Sequence, residues 1–169
     1  FIARFDDGGP EPLNLIIEKP GSVEWGRGGL TLKDTTVISH PQAPKKLISA
    51  LKKSKAVTLE AWVTPANDSQ KGPARILTLS SGPSERNFTI GQDGAKYEVR
   101  FRTTSSDANG LPGLTSDDRS LQPAMTHIVF TRDQKGKARL YLNGEKKGER
   151  DLSGDLSNWQ DHFKLAIGN

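Results

Sequence analysis

Glu60, Trp62, Glu98, Arg100, Arg102, Arg139 and Tyr141 combine aromatic plates with charged hydrogen-bonding groups. That mixture suits a sugar. The C–H faces of the sugar ring stack on an aromatic ring, and its hydroxyls or acidic groups take paired bonds from guanidinium and carboxylate groups. Glu60 and Glu98 raise a second chemistry, because glycosidases work with two carboxylates, one as acid and one as nucleophile or base. Against this, neighbouring arginines would hold both carboxylates ionised, a poor state for a general acid. Blander roles stand beside these. Trp62 packs beneath a loop or forms a platform, and Arg100 and Arg102 bind ligand or form a cross-strand charge ladder with Glu60 and Glu98, which is worth little at a surface. Tyr141 fits either role.

These residues must be held by strands. The 17 Gly and 10 Pro are spread as punctuation between short runs of period-two alternation, the signature of an all-β sandwich or barrel. The runs are 1–5, 29–32, 57–63, 75–81, 87–92, 97–103, 127–132, 138–143 and 163–168. In VTLEAWV, Val57, Leu59, Ala61 and Val63 share one face and Thr58, Glu60 and Trp62 the other. In YEVRFRT, Tyr97, Val99 and Phe101 face inward, which turns Glu98, Arg100 and Arg102 outward. Leu140 and Leu142 leave Arg139, Tyr141 and Asn143 outside, whereas the 127–132 run does not declare its inner face. Turns at QDGAK (92–96), DQKGK (133–137) and LNGE (142–145) carry residues that accept positive φ, so antiparallel hairpins are expected there.

One segment departs from this pattern. APKKLISALKKSK (43–55) sets Leu47, Ile48 and Leu51 on a narrow stripe after Pro44, which predicts a short basic helix near 44–53 that caps one end of the sandwich. The stretch 105–124 has no clean period and carries Asp107, Asp117 and Asp118. An oxygen-rich loop of this kind suits a calcium ion, although the EF-hand spacing is absent and a solvated polar loop is the plainer account.

Composition removes several classes. The 169 residues suit one domain, and the apolar runs are far too short to insert in a membrane as a spanning helix. With no cysteine there is no disulfide framework, thiolate zinc site or cysteine nucleophile, and His40, His127 and His162 are too widely spaced to suggest a metal cluster. The net charge of +4 comes from 24 basic and 20 acidic side chains in dispersed positions. KKSK (52–55) and EKKGER (145–150) are read as solvated faces, so no nucleic-acid partner is expected. GGPEPLN (8–14) and GRGGL (26–30) are turn glycines without a following helix; no phosphate loop, dinucleotide fingerprint or serine-nucleophile elbow is present. The sequence opens on Phe1 without a leader pattern and reads as a piece of a longer protein.

Together, VTLEAWVTP (57–65), ARILTLSSG (74–82), NFTIGQDG (87–94), YEVRFRTT (97–104), THIVFTRDQKGKARLYLNGE (126–145) and FKLAIGN (163–169) resemble the bacterial laminin G-like, concanavalin A-like jelly-roll domains. FIARFDD (1–7) and GGLTL (28–32) match more weakly. The resemblance implies a two-sheet antiparallel β-sandwich over 1–169. Family members follow the FKLAIGN-type strand with one more strand, so the resemblance also implies a final strand that this sequence lacks. It further implies a non-catalytic module for polysaccharide or glycoconjugate, joined to other domains of an extracellular, periplasmic or cell-surface protein. Room is left for a calcium ion at a loop, and the basic outer residues favour an anionic glycan. The alternative is a structural or adhesive domain that binds protein. Jelly-roll glucanases carry Glu-x-Asp-x-Glu on one strand, where this sequence has Leu-Glu-Ala-Trp-Val. Jelly-roll polysaccharide lyases use a His, a Tyr and an Arg; His127, Tyr141 and Arg139 are the right types without the surrounding motifs.

Overall fold

Alternating apolar residues, punctuated by turns, give strands whose inner faces meet across one core. The computed structural model describes residues 3–5 and 13–168. Its strands are β1 (Ala3–Phe5), β2 (Leu13–Ile17), β3 (Val23–Gly26), β4 (Gly29–Leu32), β5 (Ile38–Ser39), β6 (Val57–Val63), β7 (Ala74–Ser80) and β8 (Arg86–Asp93). They continue as β9 (Lys96–Phe101), β10 (Leu114–Thr115), β11 (Thr126–Arg132), β12 (Lys137–Leu142), β13 (Glu145–Asp151) and β14 (Lys164–Ile167). The one α-helix among the described residues, α1 (Lys45–Ser54), falls where the apolar stripe places it.

The larger sheet has eight strands in the order β1-β2-β5-β14-β7-β8-β9-β10, and the smaller has four in the order β13-β12-β11-β6. The strands β3 and β4 form a separate hairpin. The expected antiparallel sandwich with one helix is therefore observed. Phe88, Ile90, Val99 and Phe101 of the large sheet are buried with Ile128, Phe130 and Leu140 of the small one. The rings of Phe101 and Phe130 lie 5.5 Å apart across this interface. Full burial of each such side chain stabilises the fold by about 1.5–3 kcal/mol.

The helix closes one end of this core. Ile48 is completely buried and Leu51 packs beside it. Lys55 ends the helix in the left-handed region with φ 56°, its N–H donating to the Leu51 carbonyl, and Lys52 and Lys53 complement the carbonyl end of the helix.

The tight turns have the expected backbone. Gly94, Gly136, Asn143 and Gly144 all take positive φ, with Asn143 and Gly144 forming the β12–β13 hairpin turn. The charge cluster at 145–150, read as a solvated face, lies on β13, an edge strand of the small sheet none of whose residues is buried. The strands expected at 1–5 and the turn at 8–14 fall partly outside the described residues.

Candidate functional site

On β6 every second side chain is turned outward, and the pairing with β11 then sets what stands next to each. Trp62 lies opposite His127, and Glu60 opposite Val129. Tyr141 is across from Val129 on the far side, followed by Lys146; the next outward row holds Thr58, Thr131, Arg139 and Glu149. Ile128 and Phe130 are buried, which resolves the face of β11: His127, Val129 and Thr131 are its outer residues.

Trp62 is 65% exposed, so it is not packed beneath a loop. Its ring stacks on the His127 imidazole with centroids 4.2 Å apart and planes 12° from parallel. His127 Nε2 donates to Glu60 Oε1 at 2.7 Å, which fixes the imidazole orientation under the indole. The backbone of His127 is itself held by the hairpin turn: its N–H donates to Asn143 Oδ1 at 2.9 Å, and its carbonyl accepts from Asn143 N–H at 2.8 Å. Beyond Trp62, the Thr64 hydroxyl meets Met125 Sδ at 3.7 Å, and Met125 is itself exposed. The result is an indole held rigid from beneath and open above, with a carboxylate and Tyr141 on the neighbouring outward row.

Further along this face the charges are tied together. Glu149 accepts from Arg139 Nε at 3.0 Å and from Lys146 at 3.1 Å, and Lys137 lies 3.0 Å from its other oxygen. Hydrogen bonds from Lys137 and Lys146 hold the Glu149 carboxyl down at about 2. It is an ionised anchor, unsuited to giving up a proton.

Glu98, Arg100 and Arg102 belong to the other sheet. They lie on or just after β9, with Glu98 opposite Gly91 and Arg100 opposite Thr89 of β8. The expected union of Glu60 and Glu98 on one concave sheet does not form, because β6 and β9 are in different sheets and both residues turn away from the core between them. The expected cross-strand ladder also takes another form. Arg100 Nε binds Glu98 Oε1 at 3.0 Å along one strand, and its Nη2 reaches the Gly72 carbonyl at 3.4 Å. Glu98 is buried, with its Oε2 unpartnered. Arg102 is half-buried; its backbone carbonyl accepts from Trp159 Nε1 at 2.7 Å.

The aspartates proposed for calcium stand apart from one another in their contacts. Asp107 Oδ1 accepts from the N–H groups of Asn109 at 2.9 Å and Leu111 at 2.8 Å, which shapes its own turn. Asp118 forms an ion pair with Lys96 that keeps its carboxyl below the usual range. Asp117 accepts from Ser120 N–H through its backbone carbonyl. Among the described residues no three His, Cys, Asp or Glu side chains gather to hold a metal ion.

Three residues were not singled out in the sequence as ligand-binding residues. His127 becomes visible only once its register against Trp62 is known. Arg75 and Arg86 line a recess on the large sheet, and no local pattern marks either one.

No curated protein sequence matches this chain. Solved structures do share its fold. The binding domain of botulinum neurotoxin serotype C1 superposes with a TM-score of 0.60 at 10% identity, covering 93% of this chain and 38% of that one. The serotype D ligand-binding domain, solved with N-acetylneuraminic acid, gives 0.55 at 12% identity over 92% of this chain and 38% of its own. Domain 4 of AbnA, an extracellular arabinanase of family GH43 from Geobacillus stearothermophilus, solved with arabinotriose, gives 0.51 at 13% identity over 99% of this chain and 71% of its own. This chain thus spans about two fifths of the neurotoxin domains it resembles and most of the arabinanase domain. At these identities the likeness speaks for the fold, and the sequence itself speaks for the family: over residues 34–169 the chain matches the laminin G type of the concanavalin A-like lectin/glucanases superfamily, and it belongs to that superfamily.

Proposed function

We propose that this chain is a non-catalytic carbohydrate-recognition module, acting within an exported protein. The observation that carries this is the Trp62 platform. A 65% exposed indole is stacked on His127, which in turn is locked by Glu60. Exposed aromatic surface is retained in this way where a ligand covers it, and a sugar ring presents the matching C–H face. Glu60 and Tyr141 supply hydrogen bonds for hydroxyls on the row beside it. Two fold neighbours solved with N-acetylneuraminic acid and arabinotriose support the same ligand class.

The disposition of acids favours binding over hydrolysis. Glu60 has no partner carboxylate on its row, Glu149 is tied to three cations, and Glu98 is on the opposite sheet. A glycosidase needs two acids across one bond.

A glycan array that includes neutral, acidic and sulfated polysaccharides tests the proposal. Trp62→Ala should weaken the strongest hit at least about tenfold, the equivalent of ~1.4 kcal/mol. Unchanged binding in that variant would remove the platform from the site. Repeating the array in EDTA tests the expectation of calcium near Asp107, Asp117 and Asp118.

A second reading, protein adhesion, is favoured by a different observation: the β3–β4 hairpin exposes Trp25 and Leu32. A blank array would shift the assignment to that surface.

A further inference from the structure

The two sheets differ in what covers their outer sides. On the large sheet Thr78, Thr89, Arg86 and Glu98 are all buried, although Leu79, Phe88, Ile90 and Val99 fill its inner side. The segment before β7 folds back over the sheet. A Cβ placed on Gly91 would lie 2.5 Å from the Ala74 carbonyl oxygen and 2.8 Å from Pro73 Cβ. Between this segment and the turn at Pro83 lies a recess of about 340 Å³, lined by Gln70, Lys71, Gly72, Arg75, Pro83 and Arg86 among others.

Arg86 is 1% exposed and reaches this recess. Its Nη1 donates to Thr89 Oγ1 at 3.2 Å and its Nη2 to the Pro83 carbonyl, while Nε has no partner. The other fully buried guanidinium is a control within the same molecule. Arg132 donates from Nε, Nη1 and Nη2 to the carbonyls of Leu152, Lys55 and Gly154, so all three of its nitrogens are occupied. Arg132 is therefore a structural arginine, and Arg86 is left partly unsatisfied.

No carboxylate forms an ion pair with Arg86 or Arg75 among the described residues; the nearby Glu98 binds Arg100 through Oε1 and leaves its Oε2 unpartnered. Burial, followed by repulsion from Arg100 and Arg75, lowers Arg86 to about 10, and this outweighs the attraction of Glu98 and Asp107. A buried cation among like charges is costly unless an anion joins it.

We propose that this recess is a binding site for a single oxyanion, a carboxylate or sulfate group, received by Arg75 at its wall with the buried charge of Arg86 behind it. The site is on the opposite sheet from Trp62 and does not depend on the platform. Its ligand has two sources, an acidic or sulfated saccharide or a free inorganic anion.

The test is a titration of the arginine Nε–Hε NMR signals at constant ionic strength, using sodium glucuronate, sodium sulfate and methyl glucoside. Both anions should shift the Arg86 and Arg75 signals saturably, and methyl glucoside should leave them unmoved. Arg75→Gln, a half-buried position chosen because Arg86 also anchors the Pro83 turn, should weaken anion binding about tenfold, the equivalent of one charge-assisted hydrogen bond. Glucuronate binding tighter than sulfate assigns the recess to an acidic saccharide; equal binding assigns it to a simple oxyanion. Signals that stay unmoved well into the tens of millimolar, or an Arg75→Gln protein that binds as the wild type does, would overturn the proposal.

Discussion

Replacing Trp62 by alanine separates a platform from a core residue by stability alone. With 65% of its surface exposed, the side chain buries about a third of its area. For a large aromatic that is roughly 85 Å², and at ~25 cal/mol per Å² it corresponds to about 2 kcal/mol. A compact unfolded chain already hides part of that area, which brings the expected cost to about 1.5 kcal/mol. In a chain of 169 residues this is a fall of roughly 3–6 °C in Tm. A buried tryptophan would instead cost ~3–5 kcal/mol. Part of the expected loss belongs to the stack on His127, whose 4.2 Å separation and near-parallel planes predict a coupling of about 0.5–1 kcal/mol. The assay is urea unfolding followed by circular dichroism for wild type, Trp62→Ala, His127→Ala and the double variant. Fluorescence would be confounded, since Trp25 and Trp159 also report. A cost above about 3 kcal/mol would place Trp62 in the core, and zero coupling would remove the stack as its support.

Three further outcomes are expected. Arg132→Leu removes donors from the Leu152, Lys55 and Gly154 carbonyls and should cost about 3–5 kcal/mol in chemical denaturation, with Arg132→Lys restoring less than half. Gly91→Ala must displace the Pro73–Ala74 segment, so a loss of ~1–3 kcal/mol is expected, together with a reshaped recess seen in the Arg86 NMR signals. Glu149 has a folded carboxyl held at about 2 against an ordinary 4.5, so its contribution is complete above the ordinary value and lost as pH falls through the depressed one. Thermal melts of wild type and Glu149→Gln should therefore differ most above pH 4.5 and converge toward about pH 2.

Local pattern carried much of the fold into view. In β6 the apolar residues Val57, Leu59, Ala61 and Val63 leave one face for Thr58, Glu60 and Trp62, and the chain obeys that alternation. Asn143 and Gly144 foretold a hairpin turn for the same reason, because few residues accept positive φ. The strand after that turn, β13, is announced by the turn alone. Its Glu and Lys residues lie at a sheet edge with no apolar face to bury, so no period betrays them. Sheet membership was hidden more deeply. Glu60 and Glu98 both alternate outward, but which side of the sandwich each faces is decided by pairings between residues far apart in the chain. Arg86 was hidden for a related reason: it is buried by segments that fold over the outer side of its sheet, and nothing in its own neighbourhood announces them.

The consequence is a molecule with two chemically unlike outer faces. The small sheet is left bare, so its long side chains must satisfy one another across strands. Most of its charges end in the network around Glu149, and the group left uncovered is the apolar face of Trp62. The large sheet is roofed, and a roof withdraws water from whatever cations lie under it. Arg132 escapes this penalty because backbone carbonyls surround it, whereas Arg86 has one carbonyl, one threonine hydroxyl and a nitrogen without a partner. On the two proposals, a sugar ring would answer the first face and an oxyanion the second. A saccharide carrying an acidic group would satisfy either face alone, but the sandwich core between them prevents one residue of such a chain from satisfying both.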